Sequence, residues 1–159
     1  MPHHHVRIAV TGAARPGFER VPARHVGASD WELLGSPLYA TGVAAADVIR
    51  VTNQDSGEFE VLVRGGNVCV QFYMGAAEAD DGEATARAAR AIATDVASLG
   101  GTLDAQTPGL LAFAIPVAVG FPAIEAVFAG AVERHPGAAW QYANVYDDAT
   151  GDPLGWWEA

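Results

Sequence analysis

Three side chains in this 159-residue sequence are typed for chemistry: the imidazole of His25, the carboxylate of Asp47 and the thiol of Cys69, the single cysteine. An imidazole ionises near neutral pH, so His25, and likewise His135, could serve as acid or base. No nucleophile is tied to either by spacing, and His135 beside Pro136 reads more simply as a cation at a helix C-terminus. Asp47 opens a strand after an alanine run and could be a buried catalytic carboxylate. The structural alternative, which Asp commonly takes, is to accept backbone N–H bonds at a turn. Cys69 would be a nucleophile only beside a histidine or helix N-terminus that lowered its pKa. Nothing in the sequence places one there, so a buried, inert thiol is expected.

A ligand site follows from strand alternation. In Val68 to Met74, residues Cys69, Gln71 and Tyr73 share one face, and the apolar set Val68, Val70, Phe72 and Met74 shares the face expected to meet helices. In Trp140 to Tyr146, residues Trp140, Tyr142, Asn144 and Tyr146 oppose Gln141, Ala143 and Val145, whose small apolar members suit helix packing. Together these assignments put Cys69, Gln71, Tyr73, Trp140, Tyr142 and Asn144 on one helix-free sheet face. Aromatic rings mixed with amide and hydroxyl groups are what a pocket for a small molecule or peptide would use. The alternative is that this face packs on the N-terminal half as an inter-lobe core. Trp156 and Trp157 either fold back over an apolar groove or anchor a partner.

Other motifs carry less. Val10 to Arg15 looks like a dinucleotide-binding turn, but Pro16 interrupts it and a strand follows where a helix is needed. The tract His3, His4 and His5 lacks the supporting groups that orient real metal ligands. Lysine is absent altogether, which removes Schiff-base chemistry, pyridoxal phosphate anchoring and a P-loop at the level of residue type. No cofactor and no metal are therefore expected. With Ala, Gly and Arg abundant, the missing lysine reads as coding bias in a GC-rich bacterial genome.

Net charge is −10, and the nine arginines are scattered, which argues against wrapping a phosphate backbone. A basic protein partner fits that charge, though solubility is its simplest meaning. Half the residues are apolar and 18% are charged, which excludes a disordered chain. No apolar run approaches the roughly 18 to 20 residues that a membrane span needs. The start has no secretory h-region and one cysteine allows no internal disulfide, so a cytoplasmic address is expected. Oligomeric state stays open.

The elements that must position these groups alternate clearly. Short strands are expected at Arg7 to Val10, Phe18 to Val26, Trp31 to Leu34, Asp47 to Thr52 and around Phe59 to Val63, with turns at Gly12 to Gly17 and Asn53 to Gly57. Leu38 to Val43 reads as an irregular link. From Gly65 the period changes: strand Val68 to Met74, helix Glu83 to Leu99 started by Asp80 or Asp81, and strands Thr102 to Gln106 and Leu110 to Ile115. A second helix starts at Pro122 with Ile124, Val127, Phe128 and Ala131 on one face, and Trp140 to Tyr146 is the last strand. The expected class is α+β: a small β-barrel-like or curled sheet over 1–66, a ferredoxin-like βαββαβ sandwich over 67–147, and a tail over 148–159.

These residues support a comparison. Phe18 to Val26, then Ser36, Pro37, Leu38, Tyr39, Gly42 and Val43, then Asp47, Val48 and Ile49, resemble the opening half of a bacterial family catalogued only as domain of unknown function 4265. The resemblance runs from about Phe18 to Asp147. It departs from the family at Gly65, Gly66 and Asn67, where a Gly, His, Ser or Thr run is expected. It implies the fold and no activity. Three functions follow as expectations: a binding or accessory protein using the aromatic sheet face, a small cofactor-independent enzyme using His25, Asp47 or Cys69, or an acidic immunity-type protein that covers a basic partner.

Overall fold

In a computed structural model the protein is described over residues 4–11 and 17–158. Residues 12–16 lie outside the described residues, and with them most of the turn expected at Gly12 to Gly17 and of the dinucleotide-like run Val10 to Arg15, as does His3. The architecture is mixed α+β, with two antiparallel sheets and two helices.

The first sheet is a meander of β1 (His4–Val10), β2 (Gly17–His25), β3 (Asp30–Leu33), β4 (Val48–Asn53) and β5 (Glu58–Val63) in that spatial order. Alternation sends Val6, Ile8, Val21, Ala23, Leu33 and Ile49 inward, where they meet Ala40 and Val43 of the link. Asn53 tightens the β4–β5 turn, its Oδ1 accepting the N–H groups of Asp55 and Ser56 at 2.9 and 3.2 Å. Gly57, at φ 76°, lets β1 approach, because a Cβ there would lie 2.7 Å from the Ala9 nitrogen. The Ala9 N–H donates to the Gly57 carbonyl at 3.0 Å. No ladder joins β1 to β5 among the described residues, so the barrel-like expectation is corrected to a curled, open sheet: β1 comes near β5 but bonds to the β4–β5 turn.

The second sheet contains β6 (Asn67–Tyr73), β7 (Thr102–Thr107), β8 (Leu110–Pro116) and β9 (Ala139–Tyr142), in the order β7-β8-β6-β9. Helix α1 (Gly82–Ala97) follows β6, and α2 (Phe121–Arg134) follows β8 through a 3-10 turn at Val117–Val119. Asp81 is the N-cap of α1, its side chain accepting from the Glu83 and Ala84 N–H groups at 3.0 Å each. Pro122 occupies the first turn of α2, where its missing N–H costs nothing, and Pro136 follows the helix end. Ile92 and Val96 of α1 and Ile124 and Phe128 of α2 cover Val68, Val70, Phe72 and Phe113 of the sheet. Truncating Phe128, which is fully buried, would cost about 3–5 kcal/mol.

The last strand is shorter than expected, ending at Tyr142 rather than Tyr146. After one more main-chain bond, from the Ala143 N–H to the Cys69 carbonyl, the chain leaves β6 and the buried side chain of Asn144 takes over, its Oδ1 accepting the Cys69 N–H at 2.8 Å and its Nδ2 donating to the Asn67 carbonyl at 2.9 Å. The link expected at Leu38 to Val43 is irregular and part of a longer segment, 34–46, that lies between the two sheets.

Candidate functional site

The face assigned to Cys69, Gln71, Tyr73, Trp140, Tyr142 and Asn144 is divided by the register. Phe72 pairs with Trp140, Gln71 with Gln141 and Val70 with Tyr142, and residues directly opposite across two strands share a face. Trp140 and Tyr142 therefore stand on the helix side. Their rings lie 5.5 Å from Phe128 and 5.4 Å from Phe121, respectively. The helix-free face receives Gln141 instead, which donates to Gln71 Oε1 at 2.8 Å and to the Tyr73 hydroxyl at 3.1 Å. One signal was available: the alternative parity put the amide of Gln141 under the helices, where it would need a partner.

On that face Cys69 and Gln71 are buried and Tyr73 is 38% exposed at the rim. The link packs over them. Gln71 Nε2 donates to the Ala40 carbonyl at 3.3 Å, the Cys69 thiol lies 3.8 Å from the Pro37 carbonyl oxygen, and Ala44, Cys69 and Ala143 form a small core. The inter-lobe packing reading describes this face. Burial pushes the Cys69 thiol well above its ordinary range, with the carboxylate of Asp104 adding to the effect, so no thiolate is available.

The remaining chemical candidates sit apart. Asp47 is fully buried at the lobe junction, where Oδ1 accepts the Gly65 N–H at 2.8 Å and Oδ2 accepts the Ala44 N–H at 3.0 Å. Arg64 Nη1 lies 3.4 Å from the same carboxylate and donates to the Gly42 carbonyl at 2.7 Å. Burial raises the Asp47 pKa, against the lowering effect of these partners. A Cβ at Gly65 would stand 2.5 Å from the Ala46 backbone, so this junction requires glycine. His25 is exposed at the end of β2, its Nε2 3.1 Å from the Ala28 carbonyl oxygen and its ring 4.6 Å from that of Trp31. Among the described residues no hydrogen bond connects His25, Asp47 and Cys69, and His4 and His5 are exposed on β1.

Two features were missed in the sequence. Glu19 on β2 holds the link, its carboxylate accepting the N–H groups of Leu38, Tyr39 and Ala40 at 2.6, 2.9 and 2.8 Å. The second is a groove of about 320 Å³ between α2, the end of β9 and the C-terminal segment. Phe121, Tyr142, Tyr146 and Trp157 line it together with Glu125. Trp156 and Trp157 fold back there in a 3-10 turn, Trp156–Glu158. The Trp156 indole donates to the Asn144 carbonyl at 2.8 Å, and the Trp157 ring lies 5.3 Å from Phe121. The Tyr142 hydroxyl donates to Glu125 Oε2 at 3.0 Å. Burial raises the Tyr142 pKa and the Glu125 charge raises it further. The tail's fold-back was anticipated, whereas Glu125, seventeen positions from Tyr142, gave no local sign of its part.

This arrangement of a curled sheet on an αβ layer recurs in a solved structure. The crystal structure of a hypothetical protein from Neisseria gonorrhoeae matches with a TM-score of 0.66 at 10% identity, over 90% of this chain and 95% of that one. That likeness concerns the fold. No curated protein matches the chain. The profile of a domain of unknown function, DUF4265, matches residues 19–139, and the chain belongs to this family. The match begins at Glu19, which holds the link, and stops before Tyr142, so three of the four rings of the groove lie beyond it.

Proposed function

We propose that the chain is a binding or accessory protein that holds a small molecule in the groove of Phe121, Tyr142, Tyr146, Trp157 and Glu125. The observation that carries this reading is the contrast between that groove and the candidate catalytic groups. Cys69 is sealed under the link and Asp47 is engaged by backbone N–H groups and Arg64. The groove is open, apolar and aromatic, with one carboxylate, the composition of a ligand site. Binding is favoured over catalysis because, among the described residues, no activated nucleophile faces it.

The finer reading of the fold is a ferredoxin-like second lobe, supported by the βαββαβ order, the β7-β8-β6-β9 sheet and both helices on one face. A lysine-free composition and a lone cysteine support a bacterial, cytoplasmic protein. No helix among the described residues is long and apolar enough to cross a membrane.

The test is a fragment screen read on the indole N–H resonances of the four tryptophans. Hits that move Trp157 and leave Trp31, on the other lobe, in place support the groove. Hits that move only Trp31, or no hits from a library of apolar and charged fragments, would overturn it.

A further inference from the structure

We infer that the groove takes a small alkylammonium cation, with the rings of Phe121, Tyr142, Tyr146 and Trp157 as its walls and Glu125 as its counter-charge. This inference rests on the groove being the binding site. Aromatic faces carry negative quadrupole potential, and several rings around one small volume attract a cation whose own surface is apolar. The carboxylate supplies the remaining charge. Glu125 forms no ion pair among the described residues, and its one hydrogen bond there, from Tyr142 to Oε2, fixes its direction while leaving Oε1 without a protein donor. Among the described residues no arginine lines the groove, and the chain has no lysine to move into it. The net charge of −10 favours approach of a cation.

The degree of alkylation follows from the lining. A primary ammonium brings three N–H donors, and among the described residues the polar side chains lining the groove are those of Glu125, Tyr142 and Tyr146. The Tyr142 hydroxyl donates to Glu125 and keeps its lone pairs to accept. Four rings with Val145 and Pro153 make up most of the lining, and replacing N–H by N–CH₃ adds apolar surface against them, so a quaternary or heavily methylated ammonium fits better. A volume of about 320 Å³ holds such a head group with a short chain.

The experiment is titration calorimetry on the full chain with choline and with its neutral isostere 3,3-dimethylbutan-1-ol, alongside the Trp157 indole signal. Choline is expected to bind about tenfold or more tightly than the alcohol. Glu125→Gln, on an exposed position and retaining the Tyr142 bond, is expected to remove most of that advantage and leave the alcohol unchanged. Trp157→Ala should weaken both, with its fold checked by its Tm. Equal binding of choline and alcohol would overturn the cation while leaving the groove as a site. If neither perturbs Trp157, and no other fragment does, the groove reading falls with it.

Discussion

Asn144 stands in for the missing end of β9 by binding Cys69: its Oδ1 accepts the Cys69 N–H at 2.8 Å while the Ala143 N–H donates to the Cys69 carbonyl, also at 2.8 Å. Both backbone groups of a fully buried β6 residue are thereby satisfied where the neighbouring strand has turned away. Asn144→Ala leaves the Cys69 N–H and the Asn67 carbonyl unpaired, which costs about 2–4 kcal/mol. Asn144→Asp keeps the acceptor, loses the donor and brings a charge into a buried site, so it should not rescue. Urea unfolding measures both, and a cost under about 0.5 kcal/mol for the alanine variant would show that the carboxamide is dispensable.

The same packing predicts the behaviour of the thiol. Cys69 is sealed by Pro37, Ala44 and Ala143, so in the native protein a thiol reagent should react no faster than the chain opens, and in denaturant it should react at once. Modification of the native thiol at the rate of a free cysteine would contradict the burial.

How much of this was legible in the sequence depends on the range of the interactions. Asp81 at the start of α1, Pro122 at the start of α2 and the helix-facing set Val68, Val70, Phe72 and Met74 declare themselves within a few residues, through capping chemistry and period. The face of β9 does not, because parity within one strand has meaning only once its partner's register is known, and Phe72 lies far from Trp140 in the chain. The closure of the helix-free face was also hidden. Gln71 and Cys69 meet the backbone carbonyls of Ala40 and Pro37, and backbone contacts leave no side-chain pattern to read. Nothing in the expected strand Phe18 to Val26 singles out Glu19, since its partners are N–H groups of Leu38, Tyr39 and Ala40.

That carboxylate makes a separate prediction. Glu19→Gln keeps one acceptor oxygen and turns the other position into a donor facing backbone N–H groups, which costs about 1–3 kcal/mol. The loss should be local as well as global, with faster amide exchange at Leu38, Tyr39 and Ala40 than in the helices. Unchanged exchange at these three amides would show that the link holds without Glu19.

Asp47 predicts a pH dependence with a defined sign. Its carboxyl titrates above the ordinary 3.8 in the folded protein, chiefly through burial, so the folded state binds the proton more tightly than the unfolded state. The resulting stabilisation is complete below 3.8 and is lost as the pH rises through the folded value. Asp47→Asn removes that titration and turns an N–H donor towards the Gly65 or Ala44 N–H, at a cost of about 1–3 kcal/mol. The margin of the unmodified protein over the variant should therefore be larger below 3.8 than at neutrality. A margin that shrinks on acidification would mean that the backbone donors and Arg64 outweigh burial and hold the carboxyl below its ordinary value.

Tyr142 reports on the groove without a ligand. Its hydroxyl is held above the ordinary 10.0, first by burial and then by the Glu125 carboxylate that it bonds, so it should ionise later than an unperturbed tyrosine in an alkaline absorbance titration. A raised tyrosine pKa means that the phenol is stabilised in its neutral form in the folded state; that contribution is full below 10.0 and fades as the pH rises through the folded value. Glu125→Gln removes the charge and leaves burial in place, so the late step should move down towards 10.0 without reaching it. An unmoved step would mean that Glu125 is not in electrostatic contact with the ring that it must share with a bound cation.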